Sequence, residues 1–235
     1  MGQITGGFKT IFLHSYKSNH NYISCSYEWP PRLDLLLDLP QTDHEAEERH
    51  GWNPTDLSPN MFIKDDDALT VHRHPVPMST DGVRGRTGFS CGLHVWEINW
   101  TSWHRGTSAV VGVGTDRAPL HGIGYQPLVG SNSESWGWDI RQNKLYHNSR
   151  NKPVGTYPTF VSETGTGFTV KDKFLVILDM DEGTLSFMES GSFLGRAFDG
   201  LKGLTLYPMV SAVWGHSEIT MKYIGGLDRK CAELL

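Results

Sequence analysis

Apolar residues recur along this chain in short bursts separated by turn-forming residues, and most bursts alternate with a period of two. His94-Val-Trp-Glu-Ile-Asn-Trp100 puts His94, Trp96, Ile98 and Trp100 on one side and Val95, Glu97 and Asn99 on the other, as a half-buried strand requires. Met61-Phe-Ile-Lys64 and Leu69-Thr-Val-His-Arg73 flank Asp65-Asp-Asp-Ala68 and predict a hairpin with a longer loop. Phe174-Leu-Val-Ile-Leu-Asp179 and Thr184-Leu-Ser-Phe-Met188 flank Met180-Asp-Glu-Gly183, where Gly183 supplies the positive φ of a tight turn. Ser108–Gly114 is apolar enough to be buried on both faces, Trp136–Asp139 and Lys144–His147 bracket a polar turn, and 206–214 and 217–224 complete the series. No long helical period intervenes and no internal repeat is visible. The pattern predicts an antiparallel sandwich or barrel rather than βαβ units.

The first fifty residues read differently. Residues 1–29 form an irregular lead-in, whereas Pro31-Arg-Leu-Asp-Leu-Leu-Leu-Asp38 places Leu33, Leu36 and Leu37 on one helical face, the mark of a short helix docked on the domain. Gln41–His50 is polar and acidic and reads as a loop or frayed turn.

Composition narrows the function classes. The 235 residues include 26 Gly and 12 Pro, which suits many turns, and eight Trp, enough to fill a core and furnish a binding face. A net charge of −5 without a basic stripe argues against a nucleic-acid partner. There is no apolar run long enough for a membrane helix, and the start Met-Gly-Gln-Ile-Thr-Gly-Gly7 lacks a secretory apolar core. Gly2 only partly fits a myristoylation signal, because Gly6 stands where Ser or Thr is wanted. Cys25, Cys91 and Cys231 form no C-x-x-C pair or disulfide framework, which suits a reducing cytoplasm.

Catalytic and metal-binding patterns are sparse. His72 and His74 share one strand face but lack a third ligand at a recognisable spacing, and the plainer reading is a satisfied or surface pair. Asp65–Asp67 lacks the later Glu of a calcium loop, and Asp179 and Asp181 sit at a hairpin tip that does not enclose an acid–base pair. Gly112-Val-Gly114 lies inside a strand with no following helix, so it is a packing feature rather than a phosphate cradle. No nucleophile elbow or Walker loop occurs. The expectation is a protein that is not an enzyme and uses no cofactor or metal.

One set of segments carries a resemblance. In order along the chain come His50-Gly-Trp-Asn-Pro54, Arg73-His-Pro-Val76, Ser79-Thr-Asp-Gly82, Gly92-Leu-His-Val-Trp-Glu97, Arg105-Gly-Thr107 and Ala109-Val-Val-Gly112. Gly130-Ser-Asn-Ser-Glu-Ser-Trp-Gly-Trp-Asp139, Leu145-Tyr-His147, Leu178-Asp-Met-Asp-Glu-Gly-Thr-Leu185, Leu206-Tyr-Pro208 and Val210-Ser-Ala-Val-Trp-Gly215 follow. Together they resemble the SPRY domain-containing SOCS box protein family, across roughly residues 30–227. The resemblance implies an all-β fold, the SPRY/B30.2 sandwich of two antiparallel sheets with a short N-terminal helical lead-in. It also implies a monomeric substrate-recognition adaptor of a cullin-RING ubiquitin ligase in the cytoplasm. Its partners would be proteins carrying an Asn-rich Asp/Glu-Ile/Leu-Asn-Asn-Asn motif, and elongin B/C with a cullin.

Carried over by position, the implied peptide pocket uses Arg73, Pro75, Thr107, Tyr125, Leu128, Val213, Trp214 and Gly215. Asn side chains need several fixed polar partners: Arg73 would supply a donor fork, Thr107 and Tyr125 hydroxyls, and Trp214 and Leu128 apolar walls. Two positions depart from the family pattern, because Pro77 stands where the family has Ala and Met78 where it has a pocket-lining Gln. Neither offers the donor it replaces, so peptide preference is expected to shift. The division expected is 1–29 as lead-in, 30–225 as SPRY domain and 226–235 as a SOCS box remnant. Leu227, Cys231 and Leu235 have the Leu-x3-Cys-x3-Leu spacing of an elongin-binding helix. The alternative expectation is a SPRY binding module that no longer recruits the ligase.

Overall fold

The computed structural model describes residues 30–159 and 168–228. Cys25, Cys231, Leu235 and the Gly2–Gly6 signal therefore lie outside the described residues.

Two short helices, α1 (Pro31–Asp38) and α2 (His44–Arg49), precede the strands. The strands run β1 (Trp52–Leu57), β2 (Met61–Lys64), β3 (Asp67–Arg73), β4 (Ser79–Gly85), β5 (Leu93–Asn99), β6 (Ala109–Gly114), β7 (His121–Ile123) and β8 (Ser135–Asp139). They continue as β9 (Lys144–His147), β10 (Gly155–Thr156), β11 (Lys173–Asp179), β12 (Thr184–Glu189), β13 (Ser192–Phe198), β14 (Tyr207–Ala212) and β15 (Glu218–Leu227). One antiparallel sheet has the order β1-β4-β14-β6-β8-β9-β10, with β7 paired to β4, and the other has the order β13-β12-β11-β5-β15-β3-β2. The sandwich expected from the alternating pattern is present.

Its core is aromatic. Trp52, Trp96, Trp100 and Trp138 are essentially inaccessible between the sheets. Three of these indoles bury an N–H and satisfy it on a backbone carbonyl: Trp52 on Ile219, Trp100 on His104, Trp138 on Tyr157. That pairing lets a large apolar body be buried without an orphaned donor.

The strand β5 is buried on both faces, not one. Trp96 and Ile98 enter the main core, while Leu93 and Val95 lie under Leu33 and Leu36 of α1 with Ile177 and Leu227. The helix predicted from Leu33 and Leu36 is thus a strap over the outer face of the β11-β5-β15 layer. Pro31 suits its first turn, where an amide would have no partner. Arg32 fastens it, reaching Asp181 at 2.6 Å and Asp179 at 3.0 Å. The two aspartates at the hairpin tip are therefore a structural anchor.

Three local expectations are corrected. Gln41–His50 is not a loop throughout: the Asp43 carboxylate accepts the Ala46 N–H at 2.8 Å and starts α2, as an N-cap does. The hairpin turn is shorter than expected, because β3 already begins at Asp67, whose carboxylate accepts the Leu69 N–H and the Thr70 hydroxyl. Finally, β15 runs past 225 to Leu227, which pairs with Leu93 and is buried. Leu227 is a core residue of the sheet here rather than the first position of an exposed helical stripe, because its side chain fills the space beneath α1.

Candidate binding cleft

The strand registers bring six loops to one end of the sandwich. In the first sheet Ala212, the last residue of β14, pairs with Asp81 near the start of β4 and with Ala109 at the start of β6. In the second sheet the end of β3 meets the start of β15 at His72 and Glu218, and the end of β5 meets the start of β11 at Asn99 and Lys173. The loops 74–78, 100–108, 140–143, 168–172 and 213–217, with the stretch around Tyr125 that follows β7, consequently surround a common space. There they form an open cleft of about 1020 Å³.

Most of the residues implied by resemblance meet in that cleft. Arg73, Pro75, Pro77, Thr107, Tyr125, Val213, Trp214 and Gly215 all line it. Trp214 and Tyr125 are about half exposed despite their size, at 49% and 53%, so each presents a ring to the open space. The Thr107 hydroxyl has no partner among the described residues. The Tyr125 hydroxyl accepts the Met78 N–H at 3.1 Å, which leaves its own hydrogen to donate.

Close approach needs glycine at two of these points. A Cβ on Gly215 would stand 2.7 Å from the Pro75 Cβ, so only glycine lets the Trp214–Gly215 turn lie against the Pro75 wall. Gly106 adopts φ +58°, a conformation disfavoured for other residues, and sits behind Val213 and Trp214.

Arg73 does not act as expected. Its side chain is 1% exposed, and four of its donations are made inside the protein. Nε reaches Asp81 at 2.7 Å, and the other nitrogens reach the carbonyls of His74, Val76 and Ser79 at 2.9–3.1 Å. The fork shapes the 74–78 loop rather than presenting itself to a ligand. The reason is the fully buried Asp81, which also accepts from Ser58, Asn60, Ser79 and His121. Burial pushes the Asp81 carboxyl up, but those hydrogen bonds outweigh it and hold the group below the ordinary carboxylate range. Sequence reasoning missed Asp81 because an aspartate in Ser79-Thr-Asp81 looks like any strand-edge polar residue.

Leu128 and Met78 stand apart from the cleft. Leu128 is 3% exposed and packs beside Gly82 and Gly122, filling the volume those glycines leave empty. Met78 is exposed with φ +53° and contributes its backbone: its N–H bonds Tyr125 and its carbonyl accepts the Gly124 N–H. A positive φ directly after Pro77 is the type II turn pattern, which glycine or asparagine fits best.

A further wall was not anticipated. Ser102, Trp103, Arg141 and Thr169 complete the cleft. The buried Arg105 guanidinium holds this side in place by bonding the carbonyls of Trp100, Val170 and Lys171. Burial draws its pKa down, against the opposing pull of Asp172 and Glu189. Trp103 was legible only as a large aromatic in an otherwise polar loop.

The SPRY domain profile matches residues 93–223. SPRY domain-containing SOCS box protein 1 of Homo sapiens is 53% identical, covering 97% of this chain and 85% of the relative. The chain belongs to the SPRY domain-containing SOCS box protein family. Protein gustavus of Drosophila melanogaster is 54% identical over 97% of this chain and 84% of its own length. The SPRY domain of human HERC1 shares the fold, with a TM-score of 0.54 at 20% identity over 74% of this chain and 98% of that one. The family profile and the matching HERC1 structure are both of SPRY domains. The cleft lies at one end of the SPRY sandwich, and its loops arise at the ends of strands from both sheets.

The other candidate clusters are accounted for structurally. His72 lies 3.4 Å from Glu218, and its ring groups with those of Phe62, His74 and His216. Among the described residues no group of His, Cys, Asp and Glu has the arrangement of a metal site. No helix among them is long and apolar enough to cross a membrane.

Proposed function

We propose that this chain is a substrate-recognition adaptor that binds an Asp/Glu-Ile/Leu-Asn-Asn-Asn-like segment of a partner protein in the cleft, as a monomer in the cytoplasm. One observation carries the reading: most of the residues implied by family resemblance, scattered from Arg73 to Gly215, converge on a single cleft. The cleft's chemistry suits such a segment. Thr107 and Tyr125 offer hydroxyls to Asn side chains, and Trp214, Val213 and the prolines offer an apolar wall for Ile or Leu. The loops are tied by Arg73, Arg105 and Tyr125, so little ordering accompanies binding. No step of bond making is assigned to any residue.

Calorimetric titration with an Asp-Ile-Asn-Asn-Asn peptide tests this. Micromolar or tighter binding that is lost in Trp214→Ala and Tyr125→Ala is expected. Absence of heat from the parent chain would remove the assignment.

Ligase recruitment through elongin B/C and a cullin belongs to the same proposal. One observation favours the second reading, a binding module that does not recruit the ligase through Leu227, Cys231 and Leu235. Leu227 is 4% exposed inside β15, and presenting it to a partner helix would require the end of that strand to leave the sheet. Capture of elongin B/C by the intact chain decides between them.

A further inference from the structure

The cleft is electrostatically one-sided. The chain carries a net charge of −5, yet among the described residues no Asp or Glu lines the cleft, while Arg73 and Arg141 do. Arg73 is neutralised by Asp81 beneath it. Arg141 is exposed, and its guanidinium has no hydrogen bond or ion pair among the described residues. Two acids near it in the chain or on the neighbouring loop are already engaged. Asp139 is buried, accepting the Ser108 hydroxyl and the N–H groups of Arg141 and Gln142. Asp172 accepts the Ser102 N–H at 2.7 Å and faces Arg105.

The Arg141 turn is also held in place. The Gln142 side-chain amide bonds the Thr107 carbonyl at 3.0 Å, and Asp139 clamps the turn from below. Trp103 also lines the cleft, and its side chain is 85% exposed. A cation on an anchored turn, unpaired among the described residues and lining the same cleft as an exposed indole, is a place where a carboxylate gains a charge-assisted partner.

We propose that the partner segment carries an acidic side chain outside the five-residue motif, and that Arg141, with Trp103 as its apolar flank, binds that carboxylate. This rests on the reading of the cleft as a peptide site. It assigns the Trp103–Arg141 wall a specificity role that the Asn-recognising side of the cleft does not fill.

The test compares three peptides by calorimetry: the motif with Ala-Ala on both flanks, with Asp-Asp before it, and with Asp-Asp after it. One acidic peptide is expected to bind about three-fold or more tightly than the neutral one, the range of a partly exposed ion pair. That ratio is expected to fall to one in Arg141→Ala, to invert in Arg141→Glu and to shrink in high salt. Two results would overturn the proposal: acidic flanks that never improve on neutral ones, or a gain that persists in Arg141→Glu. If the neutral peptide itself shows no binding, the peptide-site reading fails first and takes this proposal with it.

Discussion

Replacing Arg73 with alanine isolates the polar network that shapes the cleft. Arg73 and Asp81 are both essentially fully buried and meet at 2.7 Å. Removing the guanidinium leaves a buried carboxylate whose remaining support comes from Ser58, Asn60, Ser79 and His121. Breaking one side of a buried ion pair costs about 3–5 kcal/mol. The carbonyls of His74, Val76 and Ser79 lose their donor as well, although those on the 74–78 loop can turn towards water. For a domain of this size the loss lowers Tm by about 10 °C. The assay is urea unfolding followed by tryptophan emission, run as a cycle with Asp81→Ala and the double variant. The double variant is expected to be less destabilised than the sum of the singles by about 2 kcal/mol, because neither charge is then left alone. Arg73→Lys separates the two roles. It retains a cation for Asp81 but cannot span three carbonyls, so it is expected to lose peptide affinity with a smaller stability loss. Additive single effects, or an Arg73→Ala variant within about 1 kcal/mol of the parent, would refute the view that Arg73 works by holding the loop. Lost peptide binding with unchanged stability would instead make Arg73 a direct ligand contact.

Three further outcomes follow from the same geometry. The Asp81 carboxyl titrates below its unfolded value, so its stabilisation is present above about pH 4 and is lost as pH falls through the folded pKa; the difference in unfolding free energy between parent and Asp81→Asn should shrink on acidification, and a constant difference would contradict this. Gly215→Ala places a Cβ 2.7 Å from Pro75, and the forced retreat of the turn is expected to cost about 1–3 kcal/mol and weaken peptide binding, readable by urea unfolding and calorimetry. At Met78, whose side chain lies off the cleft wall, Gln is expected to leave peptide affinity unchanged, whereas Asn relieves the positive φ and raises stability by up to about 1 kcal/mol in the same unfolding assay.

Strand-level structure was legible in the chain because a period of two reports burial directly. The bursts at 61–64, 94–100, 174–179 and 184–188 all lie in or across observed strands. The helix at Pro31–Asp38 was legible for the same kind of reason, with Leu33 and Leu36 spaced for one face and both buried. Val95 was read as facing away from the core because alternation marks two faces without saying whether both are covered; α1 covers the second. A short helix such as α2 rests on its Asp43 cap and escapes periodicity altogether.

For the cleft, the sequence by itself determined which residues to examine, through resemblance, and the alternation that builds the sandwich. The tertiary structure decided what each residue does. Only strand register brings Pro75, Thr107, Tyr125 and Trp214 to the same end of two sheets. Only packing shows that Arg73 is turned inward to Asp81, that Leu128 fills space beside two glycines, and that Arg141 has no counter-charge among the described residues. The physical reason is that a side chain's polar capacity is finite. Whether a donor faces a ligand depends on which acceptors the fold has already placed beside it, and those come from strands far apart in the chain.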